Sequence, residues 1–209
     1  MRRDLGPHGT HKLLHISQEM TKEAGLPGIC FIAMKWPETA VDAQAVETLK
    51  ADGFSMTSIY HYMGTGDRTP ANPARYDFSL VAESSPEFWN RNHKAGVLPF
   101  LPNLSTGWND FPWHFYGGTA VENRTPELFR EICRDARRFA DRTGIRRLVL
   151  APLNEWGEGS YAEPNREYKF KMYEAVRDAF ATPPSGGWPL NYGPEAVGLG
   201  PYPLDPAAP

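Results

Sequence analysis

Residues 146–164 read RRLVLAPLNEWGEGSYAEP. Leu148 to Leu153 is a leucine-rich run short enough for one buried strand, and it breaks abruptly into Asn154, Glu155, Trp156, Gly157, Glu158 and Gly159. That is the pattern of a strand delivering polar groups at its C-terminal end. Glu155 and Glu158 lie three positions apart, held by two glycines and flanked by Trp156 and Tyr161. Neighbouring negative charges raise one another's pKa, so one carboxyl of such a pair can stay protonated near neutrality while the other ionises. An acid and a base then share one site. An isolated E-x-x-E is more often a solvated loop, but the buried strand directly before this one and the aromatics of the sugar-stacking kind on both sides favour chemistry.

Working outward, the same unit recurs. Upstream of the strand, Thr125 caps and Pro126 opens the clearest helix, with Leu128, Phe129, Ile132, Cys133, Ala136, Phe139 and Ala140 on one face and Gly144 as its stop. Before it comes an aromatic loop (Phe111, Trp113, His114, Phe115, Tyr116), readable either as a cover over the core or as a platform for apolar sugar faces. Val97 to Leu104 reads as a strand ending in Ser105-Thr106-Gly107-Trp108-Asn109, preceded by a helix capped by Ser85 with Pro86 at N1 and stopped at Gly96. A long loop with Gly64, Gly66, Pro70 and Pro73 separates that helix from a strand, Met56 to Tyr62, whose end carries Tyr60, His61 and Tyr62. Further back lie a helix from about Asp42 to Ala51 ending at Asp52-Gly53, a strand Ile29 to Met34 ending at Lys35-Trp36-Pro37, and a short helix His11 to Ala24 stopped by Gly25. A last helix, Glu167 to Phe180, follows the glutamate strand.

Four strands alternating with helices predict a parallel α/β architecture. Four β/α units are half of a (β/α)8 TIM-type barrel, a fold whose chemistry sits at the C-terminal ends of the strands. Each of the four strands places polar or aromatic groups at that end. The expected organisation is a (β/α)4 half-barrel over residues 1–181 and an irregular Pro- and Gly-rich tail over 182–209.

The segment Asn154-Glu155-Trp156-Gly157-Glu158-Gly159, with Tyr161 and Glu163-Pro164, resembles the signature N-E-W-x-E-G-x-Y-x-E-P. That signature closes the last strand of the WbsX-like proteins and of family 99 of the glycoside hydrolases, the endo-α-mannosidases. Pro102 to Asp110 (PNLSTGWND) is similar to the P-x-x-x-x-G-W-D/N segment of their preceding strand. The two motifs come in the family's order and about its distance apart, and the resemblance runs from about Ser55 to Phe180. It implies a (β/α)8 barrel of which this chain is the second half. The first four strands would then belong to a longer gene product or to a partner chain, or the half would remain an open sheet.

The resemblance also implies a chemistry. In the retaining endo-α-mannosidases the first Glu of E-W-x-E draws the proton from the sugar's own 2-hydroxyl, which attacks the anomeric carbon, and the second protonates the leaving oxygen. Carried over, Glu155 is the base and Glu158 the acid. Asn154 and Trp156 would orient the pair, and Trp108, Asn109, Tyr60, His61 and Tyr161 would line the sugar site. Gly157 departs from the hydrolases, which often carry a larger residue there. Rival expectations are a WbsX-type glycosyltransferase, for which no D-x-D triplet or diphosphate-cradling loop is visible, and an inactive carbohydrate-binding remnant.

The remaining features narrow the classes. A chain of 209 residues with 41% hydrophobic content and a net charge of −3 is long enough for a core and lacks the basic excess of nucleic-acid binders. No apolar run reaches the ~20 residues of a membrane span, and the N-terminal MRRDLGPHGTHKL has no apolar region of the signal-peptide kind after its arginines. Compartment is left open; family members are often secreted or envelope-associated. Cys30 and Cys133 read as buried free thiols. No metal or cofactor is expected: His11 and His15 lack the Glu of H-E-x-x-H and read as a surface helix, and His61, His93 and His114 have no ligand spacing. Gly64-Thr65-Gly66 reads as a plain turn rather than a phosphate loop, and no G-x-S-x-G elbow is present. The expected partner is a glycan, with a homodimer as one way to close the half-barrel.

Overall fold

The computed structural model describes residues 2–35, 42–61, 75–114 and 118–193. The expectations for Trp36, Pro37, Tyr62, the 64–73 loop, Phe115, Tyr116 and the tail from 194 onward fall outside these residues. Helix α1 spans Arg2–Glu23, longer than the expected His11 start, with a kink at Gly6 (φ 67°, ψ 175°). It ends at Gly25, whose φ of 77° suits a residue without a Cβ. Gln18 on this helix accepts the backbone N–H of Ile29 (2.7 Å), which ties the following segment to the helix and delays the strand. Strand β1 therefore occupies Ile32–Lys35 instead of starting at Ile29. Cys30, lying before it, is exposed and not buried as expected, whereas Cys133 is buried with its thiol pushed up to about 12 by desolvation.

Helix α2, Ala43–Asp52, is capped by the Asp42 side chain and closed by Gly53. Strand β2, Met56–Ile59, runs parallel to β1 with Ile32 opposite Met56 and Lys35 opposite Ile59. A short strand β3, Arg75–Asp77, leads into helix α3, Phe78–Ala95. This helix corrects the expected Ser85 cap: Asp77 is the N-cap and Pro86 lies inside the helix. An internal proline removes one helix hydrogen bond and costs about 3 kcal/mol. Burying Phe78, Val81, Phe88 and Trp89 on one continuous face offsets it, since each fully buried side chain of this kind is worth roughly 1.5–3 kcal/mol. Ser85, far from capping, donates to the Val81 carbonyl within the helix (2.6 Å).

Strand β4 is Asn103–Ser105, and β5, Ala120–Glu122, pairs in parallel with β3. Helix α4, Pro126–Thr143, follows the expectation closely, with Thr125 accepting from Leu128 N–H (3.2 Å) and Phe129, Ile132, Cys133, Ala136 and Phe139 buried. Strand β6, Val149–Ala151, lies parallel to β4, Asn103 opposite Val149. Pro99, Pro102 and Pro152 have no N–H to give, so the ladders around β4 and β6 are shorter than their apolar runs. Asn154–Glu155 and Ser160–Tyr161 form β7 and β8, an antiparallel hairpin across a 3-10 turn at Trp156–Glu158. Helix α5, Lys171–Phe180, packs on α4 and begins after an Asn165-centred turn rather than at Glu167.

The four strands read from sequence correspond to β1, β2, β4 and β6. Thr57 bridges in parallel to Phe100, receiving Leu101 N–H (2.8 Å) and donating to Pro99 O (3.0 Å), so β2 is joined to the segment leading into β4. The parallel strands thus follow chain order with helices between them, a mixed α/β arrangement compatible with a partial barrel. Ile59, Phe100 and Leu104 pack with the inner faces of α3, α4 and α5 in one core. No helix among the described residues is long and apolar enough to cross a membrane.

Candidate active site at the strand ends

Tyr60 and His61 leave the end of β2, Trp108 and Asn109 follow β4, and the glutamates stand on the hairpin after β6. The phenol of Tyr60 donates to Oε2 of Glu158 (2.8 Å). Burial first, then that hydrogen bond and the charges of Glu158 and Glu155, push the Tyr60 pKa far above its ordinary value. Both carboxylates therefore act on one phenol that stays protonated. His61 is buried (4% exposed) and neither ring nitrogen has a hydrogen-bond partner among the described residues. Desolvation lowers its pKa to about 4, so although Nε2 lies 3.9 Å from Glu158 Oε2 the ring is neutral at pH 7 and the contact is not an ion pair.

Trp108 holds these groups from the side, its ring centroid 4.5 Å from His61 and 6.4 Å from Tyr60, both edge-on. The backbone N–H of Asn109 donates to the Glu158 carbonyl (2.6 Å), which joins the chain after β4 directly to the glutamate turn. Gly159 permits this approach: its φ is 58° and a Cβ there would come within 2.8 Å of the Asn109 Cβ. The structure thus gathers Tyr60, His61, Trp108, Asn109 and Glu158, with Glu155 within electrostatic reach.

The other three predicted residues are engaged within the hairpin itself. Trp156 stacks on Tyr161 (4.1 Å, 19°) and donates through Nε1 to Glu163 (2.9 Å). The Arg124 guanidinium also lies over Tyr161, 4.2 Å from its centroid. Asn154 is exposed and pairs with Tyr161 in the hairpin ladder. At Gly157, a Cβ would sit 2.9 Å from Cζ2 of Trp113, whose indole N–H also donates to the Gly157 carbonyl. The tryptophan of the aromatic loop therefore covers the position where the resembling hydrolases carry a side chain.

Sequence reasoning missed Arg124 altogether. Its Nη1 donates to the carbonyls of Thr106 and Gly159, so it laces the end of β4 to the residue after Glu158. A lone Arg just before a helix cap carries no recognisable signal. Ser160 was missed for the same reason; its hydroxyl donates to the Gly107 carbonyl. Beside the glutamates, a cavity of about 280 Å3 opens between Trp108, Asn109, Tyr161 and Arg124, and neither Glu155 nor Glu158 lines it.

The parallel strands thus bring carboxylates and aromatic rings together at their C-terminal ends. The family model described as Glycosyltransferase WbsX matches residues 7–176. The chain belongs to this family of glycosyl-processing proteins, and the match includes both the Pro102–Asp110 and the Asn154–Pro164 motifs. No match was found among curated proteins.

Proposed function

We propose that the chain is a retaining glycoside hydrolase, or the catalytic half of one, acting within α-mannoside-like or related glycans. The observation that carries this reading is the hydrogen bond from the Tyr60 phenol to Glu158 at the strand ends, with Glu155 near enough for its charge to act on the same phenol. Tyr60 remains a donor, so Oε2 of Glu158 is held as an acceptor and Oε1 is left to carry a proton toward a leaving oxygen. Glu155, exposed, takes the proton of the sugar 2-hydroxyl, whose oxygen bonds to the anomeric carbon as the glycosidic bond breaks and Glu158 protonates the departing oxygen. Water then opens this three-membered ring at the anomeric carbon, giving a proton to Glu158 while Glu155 returns one to the 2-oxygen. Two displacements retain the configuration. The likeness to family 99 of the glycoside hydrolases supports the same roles.

Glycosyl transfer is the second reading, favoured by the description of the family to which the chain belongs. The two are separated by incubating the protein with α-mannan oligosaccharides and with nucleotide-sugar donors. The hydrolase reading expects new reducing ends whose first-formed anomer has the substrate's configuration. Consumption of a nucleotide sugar with no hydrolysis selects transfer, and binding without turnover of either selects a carbohydrate-binding remnant.

The half-barrel assignment belongs to the same proposal. Strand β1 carries Ile32 and Met34 at 37% and 48% exposure, and Leu13, Ile16 and Met20 of α1 are exposed as well. An edge strand with apolar side chains calls for a cover. We assign that cover to a second copy, whose β6 would pair with β1 around a two-fold axis.

A further inference from the structure

The cavity beside the glutamates is lined by the aromatic residues Trp108, Tyr161 and Tyr168 and by Asn109 and Asn123, with Arg124 among them. Planar rings and amides are the groups that bind sugar faces and hydroxyls. A fixed cation is not needed for that. Arg124 is held entirely by neutral partners: Nη1 by the Thr106 and Gly159 carbonyls, Nε by the Tyr168 hydroxyl at 3.5 Å, and its plane by Tyr161 and Tyr168 at 4.2 and 5.1 Å. No carboxylate pairs with it among the described residues, and the two N–H groups of Nη2 have no partner there. Glu167 also lines the cavity without forming an ion pair with Arg124, the Tyr168 hydroxyl donates to the Arg124 carbonyl (3.1 Å), and Asp77 is occupied by the Asn123 amide (2.6 Å). An arginine held rigidly by neutral groups keeps its whole charge and loses little freedom when an anion arrives.

We propose that this cavity is a second sugar subsite, contiguous with the glutamate site through Trp108 and Asn109, and that it takes a uronic acid whose carboxylate meets Nη2 of Arg124. The inference rests on the reading of the chain as a glycan-processing protein and narrows its substrates to acidic glycans. Arg124 itself is a binding residue here, distinct in role from the carboxylate pair.

The test is calorimetric binding of oligosaccharides containing glucuronate, galacturonate or mannuronate, each against its carboxyl-reduced counterpart, to the full chain. At least one acidic member should bind about tenfold or more tightly than its reduced form, as a charge-assisted hydrogen bond implies. Arg124→Met should abolish that preference and Arg124→Lys should keep part of it, while Glu155→Gln and Glu158→Gln leave it intact. If Arg124→Met does not fold, salt decides: the wild-type preference should shrink between about 0.02 and 0.5 M sodium chloride. Equal binding of every acidic and reduced pair, a preference that survives Arg124→Met, or one indifferent to salt overturns the subsite. Preference without any turnover upholds the subsite and sinks the hydrolase reading alone.

Discussion

The hydroxyl of Tyr60, at the end of β2, donates a 2.8 Å hydrogen bond to Glu158, a residue 98 positions later in the chain. Tyr60→Phe removes one donor and little volume. A hydrogen bond to a charged group is worth about 1.5–3 kcal/mol, so kcat should fall roughly 10- to 100-fold, with the melting temperature close to wild type. Steady-state kinetics with the best glycan substrate checks this; an unchanged kcat would detach Tyr60 from Glu158 in function.

His61 makes stability depend on acid. Its pKa is lowered by burial to about 4, below the unfolded value near 6.5, so at pH between these values the unfolded chain binds a proton that the folded chain refuses. Stability is therefore present above pH 6.5 and lost as pH falls toward 4. The loss from this group is on the order of 2–3 kcal/mol, partly opposed by Glu158 nearby. Urea unfolding at about pH 7 and pH 4.5 should show a smaller drop for His61→Gln than for wild type. Parallel drops would mean that the ring is solvated.

Gly159 and Gly157 should respond differently to alanine. At Gly159 the backbone has φ 58° and the new methyl would lie 2.8 Å from the Asn109 Cβ, so the turn carrying Glu158 must shift. Gly159→Ala should cost about 1–3 kcal/mol and most activity. At Gly157 the obstacle is the indole of Trp113, which is 66% exposed and can swing outward. Gly157→Ala should change stability by less than about 1 kcal/mol. Chemical denaturation of both variants checks the order; the reverse order would contradict the geometry.

The elements that were legible share one property: their local chemistry and their packing agree. Thr125, Pro126 and Gly144 bracket α4 as expected because cap, first turn and buried face all point the same way. Ser85-Pro86 looked equally like a helix start, yet the apolar face of α3 runs straight through it from Phe78 to Trp89, and burial overrides the local signal. At the candidate site, Glu155 and Glu158 stood out because they directly follow an apolar strand run and are flanked by Trp156 and Tyr161. Arg124 did not, because its role comes from Thr106, Gly159, Tyr161 and Tyr168, which only the fold brings around it.

The assembly has its own measurement. Two copies closing one ring would hide the apolar side chains of β1, so light scattering of dilute purified protein should give a mass of twice 23.4 kDa or more. A monodisperse species at 23.4 kDa with cooperative unfolding would remove the dimer.

The division of labour between Glu155 and Glu158 is tested most directly by one comparison: turnover by Glu158→Gln of an aryl glycoside with an activated leaving group against the same sugar bearing a poor one. A leaving group that departs unaided needs no acid, so the variant should retain much of its rate on the activated substrate and lose most of it on the other. Equal losses on both would contradict the assignment of Glu158 as the acid.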